Sequence, residues 1–218
     1  VGLGKTIEAG IILSEMWAEN KRNILIVVPA SLRNQWNIEL MEKFYLPSFI
    51  LDNESFEEGQ SQISKGEKSI YICSYNFAVT NAEYFKNIDW DLIVLDEAHK
   101  LRNVYKKSNV MANALRAAFR NYKKVLLTAT PLQNNLKELY GLISIIDPEF
   151  FSSLDTFADQ YNAVSTRDKA KYGELKGRIA HIIHRTLRNQ VEEYVNFTKR
   201  TAFVQEYYPS TAEINLYN

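Results

Sequence analysis

The chain holds one cysteine, Cys73, which leaves no intrachain disulfide and no cysteine metal cluster and fits a reducing compartment. It has no net charge, because 26 Lys+Arg balance 26 Asp+Glu, so no single-sign field selects a partner for the chain as a whole. No apolar run approaches the roughly 18 residues of a membrane helix, and neither a membrane partner nor a signal peptide is expected. Gly 8 and Pro 5 among 218 residues are few, which excludes collagen-like and low-complexity classes. The 46% of hydrophobic residues excludes whole-chain disorder and is enough to bury a core.

Zero net charge conceals an uneven distribution. Nine Lys/Arg and no Asp/Glu lie between Ala98 and Lys137. Such a run serves either as a solvated face or as a surface for nucleic-acid phosphate.

Short apolar runs alternate with helical patterns. Thr6–Ala18 has helical spacing. Asn23–Pro29 is a β-branched run of the kind that forms a buried parallel strand. Ser31 is expected to cap a helix reaching Phe44. Further strands are expected at Ser48–Leu51, Ser69–Ser74, Asp91–Leu95 and Lys123–Thr128, and helices at Tyr75–Phe85, Ser108–Phe119 and Asn135–Ile146. Asn53–Gly66 reads as a loop with weak helical character. This alternation predicts an α/β fold with a mostly parallel sheet covered on both faces. After Pro148 the pattern becomes helical, at Leu154–Tyr161 and Ala170–His184, and Thr201–Tyr207 alternates like a strand. The expected division is an α/β core over 1–148, a helical appendage over 149–198 and a linker over 199–218. The appendage is expected to add no strand to the sheet.

Three patterns carry chemistry. Gly2-Leu3-Gly4-Lys5-Thr6 opens a helix. Glycines let backbone N–H groups turn toward a phosphate, the helix N-terminus adds partial positive charge, and Lys5 and Thr6 are placed to reach phosphate and a divalent ion. Asp96-Glu97-Ala98-His99 follows the apolar run Leu92–Leu95. Carboxylates there lie where ligands bind in open α/β sheets; one suits Mg²⁺ and its neighbour suits orienting or deprotonating water. Thr128-Ala129-Thr130-Pro131 closes another apolar run, with hydroxyls placed to bond Glu97 or to sense the γ-phosphate. Each pattern alone has an ordinary reading, as a Gly-rich turn, a helix cap or a strand-to-turn transition. The first two together, some ninety residues apart in a βαβ chain, point to nucleotide chemistry.

At these residues the chain resembles the first RecA-like lobe of superfamily-two helicase-like ATPases, and within them the Swi/Snf family of DNA translocases. Gly2–Thr6 is similar to motif I, Val27–Trp36 (VVPASLRNQW) to motif Ia, Ser74-Tyr75-Asn76 to motif Ib and Asp96–Asn103 (DEAHKLRN) to motif II. Leu126–Pro148 (LLTATPLQNNLKELYGLISIIDP) is similar to motif III with the tail that sets this family apart. His184–Val191 is similar to the arginine-rich segment before the lobe linker. Gly2–Gly10 (GLGKTIEAG) and the TATP spelling lean toward a prokaryotic member; DEAHKLRN and PLQNN depart from the bacterial RNA-polymerase-recycling relatives that share GLGKTIEAG.

The resemblance implies a three-layer P-loop lobe that binds ATP with Mg²⁺ and moves on double-stranded DNA. It implies phosphate contacts from Gly2, Leu3, Gly4, Lys5 and Thr6, with the metal held by Thr6 and Asp96. Glu97 would be the catalytic carboxylate, assisted by Lys5. His99, Thr128 and Thr130 would couple nucleotide state to DNA, and Ser31, Arg33, Ser74 and Gln133 would contact sugar-phosphate. A second RecA-like lobe would supply arginines across the cleft. The chain starts at Val1 inside motif I, so a preceding strand beside Lys123–Thr128 is expected. The location would be nucleoid-associated cytoplasm in a prokaryote and the nucleus in a eukaryote. A strand-separating helicase or restriction-type lobe, and an inert docking fragment, are the alternatives.

The remaining candidates read as structural. Cys73 falls in a strand. His181 and His184 sit three apart without an acidic or Cys partner at ligand spacing. Trp36 is expected to pack and brace the motif Ia loop, and Tyr161, Tyr172 and Tyr194 to pack in the appendage.

Overall fold

The computed structural model describes residues 4–132, 135–161, 169–185, 203–210 and 213–214. Among these, five strands form one wholly parallel sheet in the order β2-β3-β1-β4-β5. The strands are β1 (Ile24–Val28), β2 (Ser48–Leu51), β3 (Ile70–Ser74), β4 (Leu92–Asp96) and β5 (Lys124–Leu127). The helices are α1 (Lys5–Ala18), α2 (Arg33–Phe44), α3 (Phe56–Ser64), α4 (Tyr75–Thr80), α5 (Ala82–Lys86), α6 (Val110–Ala118), α7 (Leu136–Ile146), α8 (Leu154–Tyr161) and α9 (Lys169–Ile179).

β1 and β4 are buried along their whole lengths. This is why their sequences are continuous apolar runs and not alternating ones. Successive side chains point to opposite faces, and the two faces feed two cores. Ile24, Ile26, Val28, Ile72 and Val94 pack with Leu13 of α1 and Trp36 and Leu40 of α2. Leu25, Val27, Cys73, Ile93 and Leu95 pack with Phe77, Phe85, Leu115 and Leu142 from α4, α5, α6 and α7. The result is the expected three-layer α/β arrangement. α1 and α2 cross so closely that a Cβ on Gly10 would lie 2.1 Å from the Phe44 ring; glycine permits that approach.

Several local expectations are corrected. Ser31 does not cap α2. It lies inside a 3-10 turn, Ala30–Leu32, and α2 starts at Arg33 behind Leu32 without a side-chain cap. The expected Tyr75–Phe85 helix is two helices. Asn81 bonds the Phe77 carbonyl with its side chain and its own carbonyl accepts from the Phe85 amide, so it ends α4 and starts α5. Phe56–Ser64 is a full helix where a loop with weak helical character was expected. The last helix stops at Ile179, short of His184. Residues 203–210 form no strand.

β5 borders the sheet, with Lys124, Val125 and Leu126 only partly buried. After Pro148 the described residues add helices and no strand. α8 is pinned by an aromatic cluster in which Phe157 and Phe151 rings lie 4.7 Å apart and Phe157 and Tyr140 5.4 Å apart. Arg178 of α9 lies over the Phe150 and Phe151 rings and donates to the Phe150 carbonyl at 3.0 Å. Val1–Ile179 forms one compact unit, which includes α8 and α9, and Ala180–Asn218 a second. Within the second, Ser210 and Glu213 cap one another reciprocally. Among the described residues no helix is long and apolar enough to cross a membrane.

Candidate nucleotide site at the carboxyl ends of the strands

Parallel pairing brings the carboxyl ends of β1, β3, β4 and β5 to one edge of the sheet. The three sequence patterns and motif Ia all emerge there. Gly4 has φ of 82° and forms the N-cap of α1. This left-handed geometry is cheap for glycine and strained for other residues, and it turns the chain into the helix so that Lys5 begins it. Thr6 follows in the same turn, partly buried.

Lys5 Nζ lies 3.0 Å from Glu97 Oε1 and 3.9 Å from Asp96 Oδ1. Residues 92 positions apart are thus in contact. Asp96 ends β4 with 6% exposure. Its Oδ1 accepts the Glu97 amide at 2.8 Å and its Oδ2 accepts the Trp36 indole N–H at 2.9 Å. Its main-chain carbonyl accepts the Tyr75 hydroxyl at 2.8 Å. Glu97 has φ of 52°, a left-handed conformation for a non-glycine residue, which costs about 1–3 kcal/mol and is found where surrounding structure imposes it. The kink swings the Glu97 carboxylate out of the sheet and toward Lys5. His99 Nδ1 lies 2.9 Å from the other carboxylate oxygen. Burial raises the Glu97 pKa, but the Lys5 hydrogen bond and charge, with His99, outweigh it, so Glu97 sits below the ordinary carboxylate value.

The other candidates occupy the same edge of the sheet less completely. Thr128 Oγ1 accepts the Thr130 amide at 3.2 Å, and Thr130 is exposed. Ser31 is exposed. Arg33 donates to the Ala30 carbonyl and to Asp52 Oδ2, both at 3.3 Å. Ser74 caps α4 by accepting the Phe77 amide at 3.2 Å. Gly2, Leu3 and Gln133 lie outside the described residues, as do Tyr194 and most of the arginine-rich segment. Among the described residues no group of three or more His, Cys, Asp or Glu is arranged for a metal ion.

The basic run is not one face. Lys124 is drawn inward, donating to the carbonyls of Phe119, Arg120 and Tyr122, and Arg102 faces Glu138 at 3.9 Å. Lys100, Lys106, Lys107, Arg120 and Lys123 remain exposed.

Three polar partners escaped the sequence reading: Trp36 and Tyr75, which bond Asp96, and Asp52, which pairs with Arg33. Trp36 packs as expected, with 2% exposure, but its N–H was not foreseen as a partner of the motif II carboxylate. Cys73 is fully buried, and burial raises its thiol pKa.

Comparison with known proteins gives a consistent picture. The SNF2-related domain family matches residues 1–218. An uncharacterised ATP-dependent helicase, YqhH, of Bacillus subtilis is 37% identical over 166 residues, covering 74% of this chain and 27% of the relative. The RNA polymerase-associated protein RapA of Pectobacterium carotovorum is 33% identical over 192 residues, covering 80% of this chain and 20% of the relative. The chain therefore spans about a quarter or less of these curated relatives' length. The Sulfolobus solfataricus SWI2/SNF2 ATPase core, solved in complex with dsDNA, superposes with a TM-score of 0.68 at 24% identity, covering 85% of this chain and 38% of that one.

Proposed function

The chain belongs to the SNF2-related domain family, and on that premise we propose that it is the ATP-binding lobe of a motor that couples ATP hydrolysis to movement along duplex DNA. The observation that carries the reading is the convergence of Lys5, Asp96 and Glu97 at the carboxyl edge of the sheet.

In the arrangement described, Lys5 is paired with Glu97. An incoming triphosphate competes for the same ammonium, and the amino end of α1 adds its partial positive charge to the attraction. Once Lys5 turns to phosphate, Glu97 is released to orient the attacking water and take its proton. Until then the Lys5 contact, with His99, holds the Glu97 pKa below the ordinary carboxylate value and keeps it ionised. His99, against the second Glu97 oxygen, limits rotation of the carboxylate.

The donor set fits Mg²⁺. Thr6 and Asp96 offer hard oxygens, and Asp96 Oδ1 already faces one cation, the Lys5 ammonium. Mg²⁺ held there with the nucleotide would supply positive charge against the phosphate oxygens. Asp96 would hold it, with its own orientation set by the Glu97 amide and the Trp36 indole.

Ser31, Arg33, Ser74 and Gln133 are proposed to meet the sugar-phosphate backbone, which gives affinity without sequence choice. Thr128 and Thr130 would relay nucleotide state to them. A second RecA-like lobe would complete the site with arginines, whose absence costs about 10³–10⁵ in rate by analogy with arginine fingers. The protein would work in the nucleoid of a bacterium or the nucleus of a eukaryote.

The test is ATP turnover with and without duplex DNA, on this chain and on the two-lobed protein that contains it, with triplex displacement to report movement. Duplex-stimulated turnover and triplex displacement by the two-lobed protein, with negligible turnover by the single lobe, are expected. A two-lobed protein that ignores duplex DNA refutes the reading. Displacement of a base-paired strand makes it a strand-separating helicase.

A further inference from the structure

The geometry points to Trp36 as a positioning residue that ties the start of α2 to the Asp96 carboxylate, so that DNA contact at motif Ia sets the ATP site. This deepens the proposed motor function and rests on it.

Asp96 is held by three hydrogen bonds of different origin. The Glu97 amide contact is local and follows from the kink at the end of β4. The other two come from afar. Trp36 donates across 60 positions of sequence and Tyr75 across 21. Both donors sit beside residues proposed to face the DNA backbone. Trp36 lies one helical turn after Arg33, about 4.5 Å along the helix axis, and Tyr75 directly follows Ser74. The segments after β1 and β3 therefore each send one buried bond to the residue that ends β4.

The indole is well suited to transmit displacement. It is 2% exposed and packs among Leu13, Ile26, Leu40 and Val94 of the same core face, so it moves with α2. Indole has a single N–H and no acceptor, and here that donor is committed to Asp96 Oδ2. Packing alone needs no N–H, because a hydrocarbon ring of similar size would fill the same space. Without it, Oδ2 at a site 6% exposed loses its long-range donor, and the carboxylate orients only by its local bond. Lys5 faces the opposite oxygen, Oδ1, so Trp36 restrains the side of the carboxylate that the nucleotide pocket does not.

A residue that merely supports the fold would change stability and turnover together. A residue that couples two sites changes the ratio between them, and the change is reciprocal in binding. In the full-length protein, steady-state turnover is measured without and with saturating duplex. Duplex affinity is measured by fluorescence anisotropy without and with a non-hydrolysable ATP analogue. The variants are Trp36→Phe and Trp36→3-benzothienylalanine, the latter keeping the double ring and replacing N–H with sulfur. The sulfur variant keeps the test decisive where Trp36→Phe fails to fold.

The expected result is a fall of about tenfold or more in the DNA-stimulated to basal ratio, the size of one hydrogen bond to a charged group. The analogue's effect on duplex affinity should vanish with it, while duplex affinity without analogue and KM for ATP without duplex stay within about threefold. A sulfur variant that keeps the wild-type stimulation ratio overturns the assignment. A wild-type protein with no stimulation by duplex refutes the motor reading itself and this coupling with it.

Discussion

Replacing Gly141 with alanine should destabilise the protein, although alanine is the better helix former. Gly141 lies within α7, and a Cβ there would stand 2.0 Å from the Arg102 carbonyl oxygen and 2.9 Å from its carbon. That is roughly 1.3 Å inside an ordinary carbon–oxygen contact of about 3.3 Å. The obstacle is main chain, so no rotamer change relieves it. It belongs to the DEAHKLRN segment, directly after the 3-10 turn Ala98–Leu101. Overpacking of this kind costs about 1–3 kcal/mol, and a backbone obstacle puts Gly141 at the top of the range. Helix propensity returns about 1 kcal/mol. The net expectation is a loss of about 1–2 kcal/mol, a drop in Tm of about 2–8 °C for a unit of this size. Gly177 supplies the control. It lies in α9 with nothing within 4 Å of its Cβ position, so Gly177→Ala should stabilise by about 0.4–1 kcal/mol. Urea denaturation midpoints and thermal melts of both variants decide the matter. A Gly141→Ala protein as stable as wild type, or more so, refutes the claim that α7 and the motif II loop are in main-chain contact.

Other outcomes follow from the site and its supports. Glu97→Gln in the full-length protein should leave ATP binding largely intact and lower turnover by about 10²–10⁴-fold, whereas Lys5→Ala should weaken binding itself; near-normal turnover in the first variant would reassign the catalytic carboxylate. The Glu97 carboxyl is held below its unfolded value of 4.5, because Lys5 and His99 outweigh the opposing effect of burial. It therefore contributes stability that is full above that pH and is lost as pH falls through the lower folded value. Glu97→Gln should make the acid limb of the stability curve shallower, and urea midpoints showing an equally steep limb would exclude the pair as a stabilising contact. Lys124→Met strips three donors from the carbonyls of Phe119, Arg120 and Tyr122 and should cost about 1–3 kcal/mol; a neutral result in the same melts would mean those carbonyls are equally well hydrated. Duplex binding should weaken steeply between about 50 and 200 mM salt, and anisotropy that is flat across that range would exclude backbone-directed binding.

Much of this molecule was legible without coordinates. The apolar runs at Ile24–Val28 and Leu92–Leu95 announce strands buried on both faces, because only a covered parallel sheet tolerates continuous apolar sequence. Gly4-Lys5-Thr6 and Asp96-Glu97 pointed to the proposed phosphate site, because turning a chain around an anion demands glycine and a helix start, whose chemistry is local. Local competition was harder to read. Asn81 splits one helical pattern into two through its own side chain, and the 3-10 turn at Ala30–Leu32 takes Ser31 away from the cap position. Tertiary structure alone decided the long-range polar pairs: Trp36 with Asp96, Arg33 with Asp52, and the seat of Gly141 against the Arg102 carbonyl. Periodicity tells which side of a helix is buried. It carries no information about which buried donor meets which buried acceptor, because that depends on the relative placement of elements up to 60 residues apart. Placement of that kind is set by the whole core closing at once.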